Sequence, residues 1–76
     1  MLATLHTRMF DQEYEISLLV REEGPYCLKM QITMNDVIVE EKFVKPTVLQ
    51  NPGEVLVHWL YSRYRGQFNN FAVEVQ

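Results

Sequence analysis

Three apolar/polar alternating runs, one helical stretch and a last alternating run predict an α+β domain. In it, an antiparallel sheet of four to five strands carries one helix on one face, in the order (β)βββαβ. The 76 residues form a single domain, 1–76, with no room for a second core and no internal repeat or linker.

The first clear run is Tyr14 to Val20, where Tyr14, Ile16, Leu18 and Val20 share one face. Glu22-Glu23-Gly24-Pro25 reads as a turn, since Gly and Pro both punctuate strands. Tyr26, Leu28, Met30, Ile32 and Met34 then line one face of a second strand, with Cys27, Lys29, Gln31 and Thr33 on the other. A five-residue loop from Arg21 to Pro25 keeps Val20 and Tyr26 on the same side.

Asn35-Asp36 suits a two-residue type I′ turn, because both residue types tolerate positive φ. The following strand, Val37 to Val44, is expected to place Val37 opposite Met34, Val39 opposite Ile32 and Phe43 opposite Leu28. That register leaves Lys29 facing Lys42, and it puts Glu40, Lys42 and Val44 on the exposed side of the sheet with Ile38. A slip that pairs Lys29 with Glu41 would move Leu28 opposite Lys42 and is disfavoured.

Asn51-Pro52-Gly53-Glu54 opens the helix: Asn as the cap, Pro at the first helical position, Glu near the positive end of the dipole. Arg63 and Arg65 suit its C-terminal end, and Gly66 terminates it. Phe71 to Val75 alternates again as a strand after the helix, and Leu2 to Met9 is a weaker candidate strand before the others.

Composition narrows the function classes. Apolar residues make up 47% and charged residues 22%, the mix of a folded chain rather than a disordered one. Formal charge is -3, which disfavours non-specific nucleic-acid binding, where neutralised phosphates supply most of the affinity. Cys27 is the sole cysteine, so no intrachain disulfide forms. The first residues lack the basic and apolar regions of a secretory signal, and no apolar run reaches the length of a membrane span. These features together point to a cytoplasmic protein without membrane association.

No phosphate-binding glycine loop, paired-cysteine metal signature or zinc-protease helix motif is present, so neither a cofactor nor an enzyme is expected. His58 falls on the arc of the helix away from the core, and Cys27 reads as a small hydrophobe. Glu40 and Glu41, adjacent on a strand, point to opposite faces and do not form a carboxylate pair.

The helix offers the best candidate contact surface. Val55, Leu56, Trp59 and Leu60 make a compact stripe that Val57, Tyr64 and Tyr61 widen to roughly 200°, more than one sheet face needs. Trp59, Tyr61, Arg63, Tyr64 and Arg65 have the composition of interface hot spots and are assigned to partner binding. Glu40 and Glu41, with Asp11, Glu13, Glu15, Glu22, Glu23 and Asp36, form a second, acidic candidate that would suit a basic protein groove. Open sheet edges, Val73-Glu74-Val75 among them, are a third feature and favour a homodimer.

In layout, Gly24-Tyr26, the Asn35-Asp36 turn and Phe43 before a helix resemble the small three-stranded DNA-reading domains of phage integrases and plant transcription factors. That resemblance implies nucleic-acid reading by basic and aromatic side chains of the exposed sheet face; a nucleic-acid-binding accessory protein would use Lys29, Lys42, Arg63 and Arg65. The size, charge and layout also resemble small acidic phage inhibitors of host machinery, including anti-CRISPR proteins. The sequence therefore leads to a non-enzymatic protein-binding module, of phage or mobile-element type. A nucleic-acid-binding accessory protein or a self-associating structural protein is the alternative.

Overall fold

The structure, a computed structural model, describes all 76 residues. Five antiparallel strands form one sheet in the order β4-β3-β2-β1-β5: β1 (Ala3–Met9), β2 (Gln12–Gly24), β3 (Cys27–Met34), β4 (Val37–Val44) and β5 (Phe68–Val75). A short 3₁₀ turn (Pro46–Leu49) leads to one helix, α1 (Pro52–Tyr64), on one face of the sheet. The fold is the α+β arrangement that the alternation predicts.

Alternation decides which side chains meet the helix. Ala3, Leu5 and Met9 of β1, Ile16 and Leu18 of β2, and Met30 and Ile32 of β3 join Leu56, Trp59 and Leu60 of α1 in the buried core. On the other face no helix lies, yet Thr4 and Ser17 are buried there too. They sit directly opposite one another on neighbouring central strands, small residues sheltered by larger neighbours.

The β2–β3 hairpin is longer than the sequence predicts. Strand β2 continues through Arg21, Glu22 and Glu23 to Gly24, which pairs with Cys27, and only Pro25 and Tyr26 turn. Tyr26 is thus a hairpin tip, 89% exposed, and not a member of the apolar face. Charged residues can continue the strand because the far end of the hairpin is solvated on both faces; Glu22 and Glu23 are exposed like Tyr26.

The predicted β3–β4 register holds only at the turn. Asn35 and Asp36 have φ of 50° and 68°, as a type I′ turn requires, and Met34 pairs with Val37 and Thr33 with Ile38. Val39 is then an extra residue, a β-bulge, after which Ile32 faces Glu40, Gln31 faces Glu41, Met30 faces Lys42 and Lys29 faces Phe43. The bulge corrects the expected placement of every later residue in β4. Glu40, Lys42 and Val44 move to the helix side, while Glu41 and exposed Phe43 move to the open face. The gain is electrostatic: Lys29 no longer opposes Lys42, and it forms an ion pair with Glu41 instead.

The helix starts as predicted at Pro52, and Val55 N–H bonds the Asn51 carbonyl at 3.2 Å, but the Asn51 side chain makes no capping hydrogen bond. At the other end Gly66 has φ of 79°, and the Gln67 N–H bonds the Tyr64 carbonyl at 2.9 Å. The chain can therefore reverse directly into β5.

Candidate functional site: an aromatic end of the fold

The β1–β2 connection is a two-residue turn, Phe10-Asp11, with φ of 50° and 61°. Asp tolerates that backbone region; a bulky aromatic does so only at a cost of order 1 kcal/mol. Phe10 is nevertheless 59% exposed, so burial does not offset the strain. Its ring meets Tyr64 edge-on at 6.4 Å between centroids, and Tyr64 meets Trp59 in the same manner at 5.9 Å. Chain geometry explains the meeting: the β1–β2 turn and the C-terminal end of α1 lie at the same end of the sheet.

The start of β5 arrives there as well, since Phe68 pairs with Met9. Tyr61 packs edge-on against Phe68 at 5.1 Å and Phe71 at 6.2 Å, and those two rings stand 6.0 Å apart. This contact accounts for the unusual width of the apolar arc on α1: β5, not solvent, receives its Tyr61 side. Tyr61 still remains 47% exposed. At this end of the fold Phe10, Tyr61 and Arg65 are exposed and Tyr64 is half-buried.

The sequence-assigned contact residues divide. Tyr61, Tyr64 and Arg65 belong to this end. Trp59 does not serve as an outward contact: it is only 6% exposed, packed with Leu56 and Leu60 in the core, and its indole N–H has no acceptor. Arg63 lies with its guanidinium 5.5 Å from the Trp59 ring centre and 3.4 Å from Glu40. Glu40 faces the helix and Glu41 the open face, so the two carboxylates do not share a surface. Of the eight acidic side chains in the second candidate, Glu13, Glu23, Glu40 and Glu41 are each paired with a cation, by Arg8, Arg21, Arg63 and Lys29.

Glu41 is the one group whose titration is clearly displaced. Hydrogen bonds from Lys29 first, then Gln31, hold its carboxyl below the ordinary glutamate value. The cations named for nucleic-acid binding are likewise dispersed: Lys29 is on the open face against Glu41, Lys42 is on the helix side, and Arg63 is held by Glu40.

Beside α1 runs an open cleft of about 580 Å³, floored by Met30, Ile32 and Trp59 and rimmed by Glu40, Lys42 and His58. The bulge at Val39 supplies part of its rim by turning Glu40 and Lys42 toward the helix, and the sequence gives no sign of it. No cluster of three or more His, Cys, Asp or Glu side chains is arranged to hold a metal ion. Cys27 lies beside the hairpin tip, His6 on the open face of β1 and His58 on the exposed side of α1, three separate places. No helix is long and apolar enough to cross a membrane.

No protein-family model matches this chain, and neither the curated proteins nor the solved structures contain a significant match to it.

Phe10 is an aromatic of this end that the sequence does not single out. Its signal was weak: a lone Asp after an aromatic is a poor turn motif, and the turn becomes legible only once Leu2–Met9 and Gln12 onward are taken as paired strands.

Proposed function

We propose that this chain is a non-enzymatic protein-binding module whose contact surface is the aromatic end formed by Phe10, Tyr61, Tyr64 and Arg65. The observation that carries the reading is Phe10: an exposed aromatic held at positive φ, where Gly or Asn would serve the turn better. Backbone strain that stability does not require is a reason to look for a use, and an exposed ring on a rigid two-residue turn is suited to filling a pocket on a partner. Tyr61 and Tyr64 supply contact area at low entropic cost, and Arg65 adds a charged rim.

The partner is a folded protein presenting an apolar recess. In its narrower form the module is an inhibitor, blocking whatever normally docks at that recess. A cytoplasmic setting accords with the single thiol, Cys27.

The test is affinity capture with tagged protein from lysate of its source, with and without nuclease. The reading expects a stoichiometric protein that persists after nuclease. A capture that disappears with nuclease, and weakens steeply with salt, would replace it with nucleic-acid binding.

A further inference from the structure

We infer that two copies of this chain pair through the free edge of β5, joining their sheets into one continuous antiparallel sheet with both helices on the same face. The inference is independent of the aromatic end, since it needs neither Phe10 nor Tyr64.

The two edges of the sheet differ. β4 is guarded in the manner of natural edges: it is bulged at Val39 and carries Glu40, Glu41 and Lys42 in succession. β5 has a regular stretch from Phe71 to Val75 with one charge, Glu74, and its outer side pairs with nothing. Its exposed backbone groups can be identified. Gln76 N–H bonds the Leu2 carbonyl at 2.9 Å, so by antiparallel alternation Glu74 and Ala72 also turn their amides toward β1. The amides and carbonyls of Phe71, Val73 and Val75 therefore point outward. The β1–β2 hairpin gives the same phase: Met9 and Gln12 flank its two-residue turn as a bonded pair, which leaves Thr4 and His6 to face Glu74 and Ala72 of β5, while Leu2 splits, its amide bonding the Leu18 carbonyl of β2 at 2.8 Å and its carbonyl accepting from Gln76.

A two-fold axis at Val73 satisfies all three outward residues at once. Val73 pairs with Val73 of the second copy, and Phe71 pairs with Val75 in both directions, giving about six backbone hydrogen bonds. The pairing is apolar on the helix face, where Val75 is 62% exposed in the single chain. On the open face Glu74 stands opposite Ala72 rather than its own copy. An axis moved to Glu74 would oppose two like charges. Helix α1 packs mainly over β1, inside the edge strand, and runs antiparallel to β5, which it meets with its smallest residue, Gly53. A Cβ at Gly53 would lie only 3.2 Å from Val73 Cγ1 and 3.3 Å from Val75 Cγ2, and Tyr61 rests on Phe68 and Phe71 at the other end.

Sedimentation equilibrium over a dilution series, with backbone amide exchange measured in parallel, tests the pairing. The expected result is a mass rising from 9.0 kDa toward twice that value, with Phe71, Val73 and Val75 amides protected only at the concentrated end. Val75→Lys should weaken association at least tenfold, and Val73→Pro should do the same by removing an outward N–H that bonds nothing in the single chain. A mass of 9.0 kDa up to about 1 mM would overturn the inference. So would a dimer in which those three amides exchange freely, because its contact would lie elsewhere. The exchange measurement on the unaltered chain decides the matter even if a variant fails to fold.

Discussion

Phe10 reaches Tyr64 across the end of the sheet, ring edge to ring face at 6.4 Å, from a turn position whose φ of 50° its side chain disfavours. The two facts pull in opposite directions energetically. An aromatic pair contributes about 0.5–1.5 kcal/mol, and the backbone strain costs about as much. Replacement of Phe10 by Asn is therefore expected to change unfolding free energy by less than about 1 kcal/mol. Urea denaturation of the two proteins measures it, and a loss above about 2 kcal/mol would show that Phe10 is retained for stability.

Leu60 is fully buried among strands and helix, and Leu60→Ala is expected to cost about 2–5 kcal/mol. In a 76-residue domain that is a large share of the total, so the variant should be substantially unfolded at room temperature. Circular dichroism with a denaturant titration checks this.

Trp59→Phe should behave differently. The indole N–H is buried without an acceptor, so its removal relieves a desolvation cost while the smaller ring leaves some volume unfilled. The two effects are expected to leave stability within about 1 kcal/mol of the parent. A loss comparable with that of Leu60→Ala would mean that the shape of the indole, and not only its burial, is required.

Lys29 and Glu41 give a pH-dependent prediction. The Glu41 carboxyl titrates below its ordinary value because Lys29 and Gln31 favour its charged form. A lowered folded value means that the stabilisation is present above the unfolded glutamate pKa and is lost as pH falls through the folded one. Lys29→Met should raise the Glu41 midpoint toward the ordinary value, as followed by carboxyl carbon NMR, and the small stabilisation this exposed pair gives at neutral pH should be missing from the variant. An unmoved midpoint would assign the shift to Gln31 instead.

Much of the fold was legible because alternation and turn chemistry agreed. Tyr14-Ile16-Leu18 and Leu28-Met30-Ile32 read as one buried face, Asn35-Asp36 as a type I′ turn, and Pro52 to Gly66 as a bounded helix; each rests on local chemistry. What was not legible depended on pairing. The bulge at Val39 arises because a strict register would oppose Lys29 and Lys42, a conflict between strands that the sequence of β4 alone does not resolve. Its consequence is the reversal of Glu40, Lys42 and Phe43 between faces, which puts Glu40 on the helix side, within 3.4 Å of Arg63, and leaves Glu41 on the open face.

The aromatic end was half visible. Tyr61, Tyr64 and Arg65 stood out on the wide helical arc, while Trp59 had the same composition but a different fate, since the period of the helix turns it into the core with Leu56 and Leu60. Phe10 was hidden because its turn contradicts its own propensity. Residues that break a local rule are where function is most expected.

The most direct measurement is affinity capture by Phe10→Asn beside the parent protein, with both shown to be folded by circular dichroism. The variant is expected to keep its fold and to lose the captured protein by at least tenfold. Capture of the same protein at the parent's yield would contradict that expectation and leave the strain at Phe10 without a role in binding.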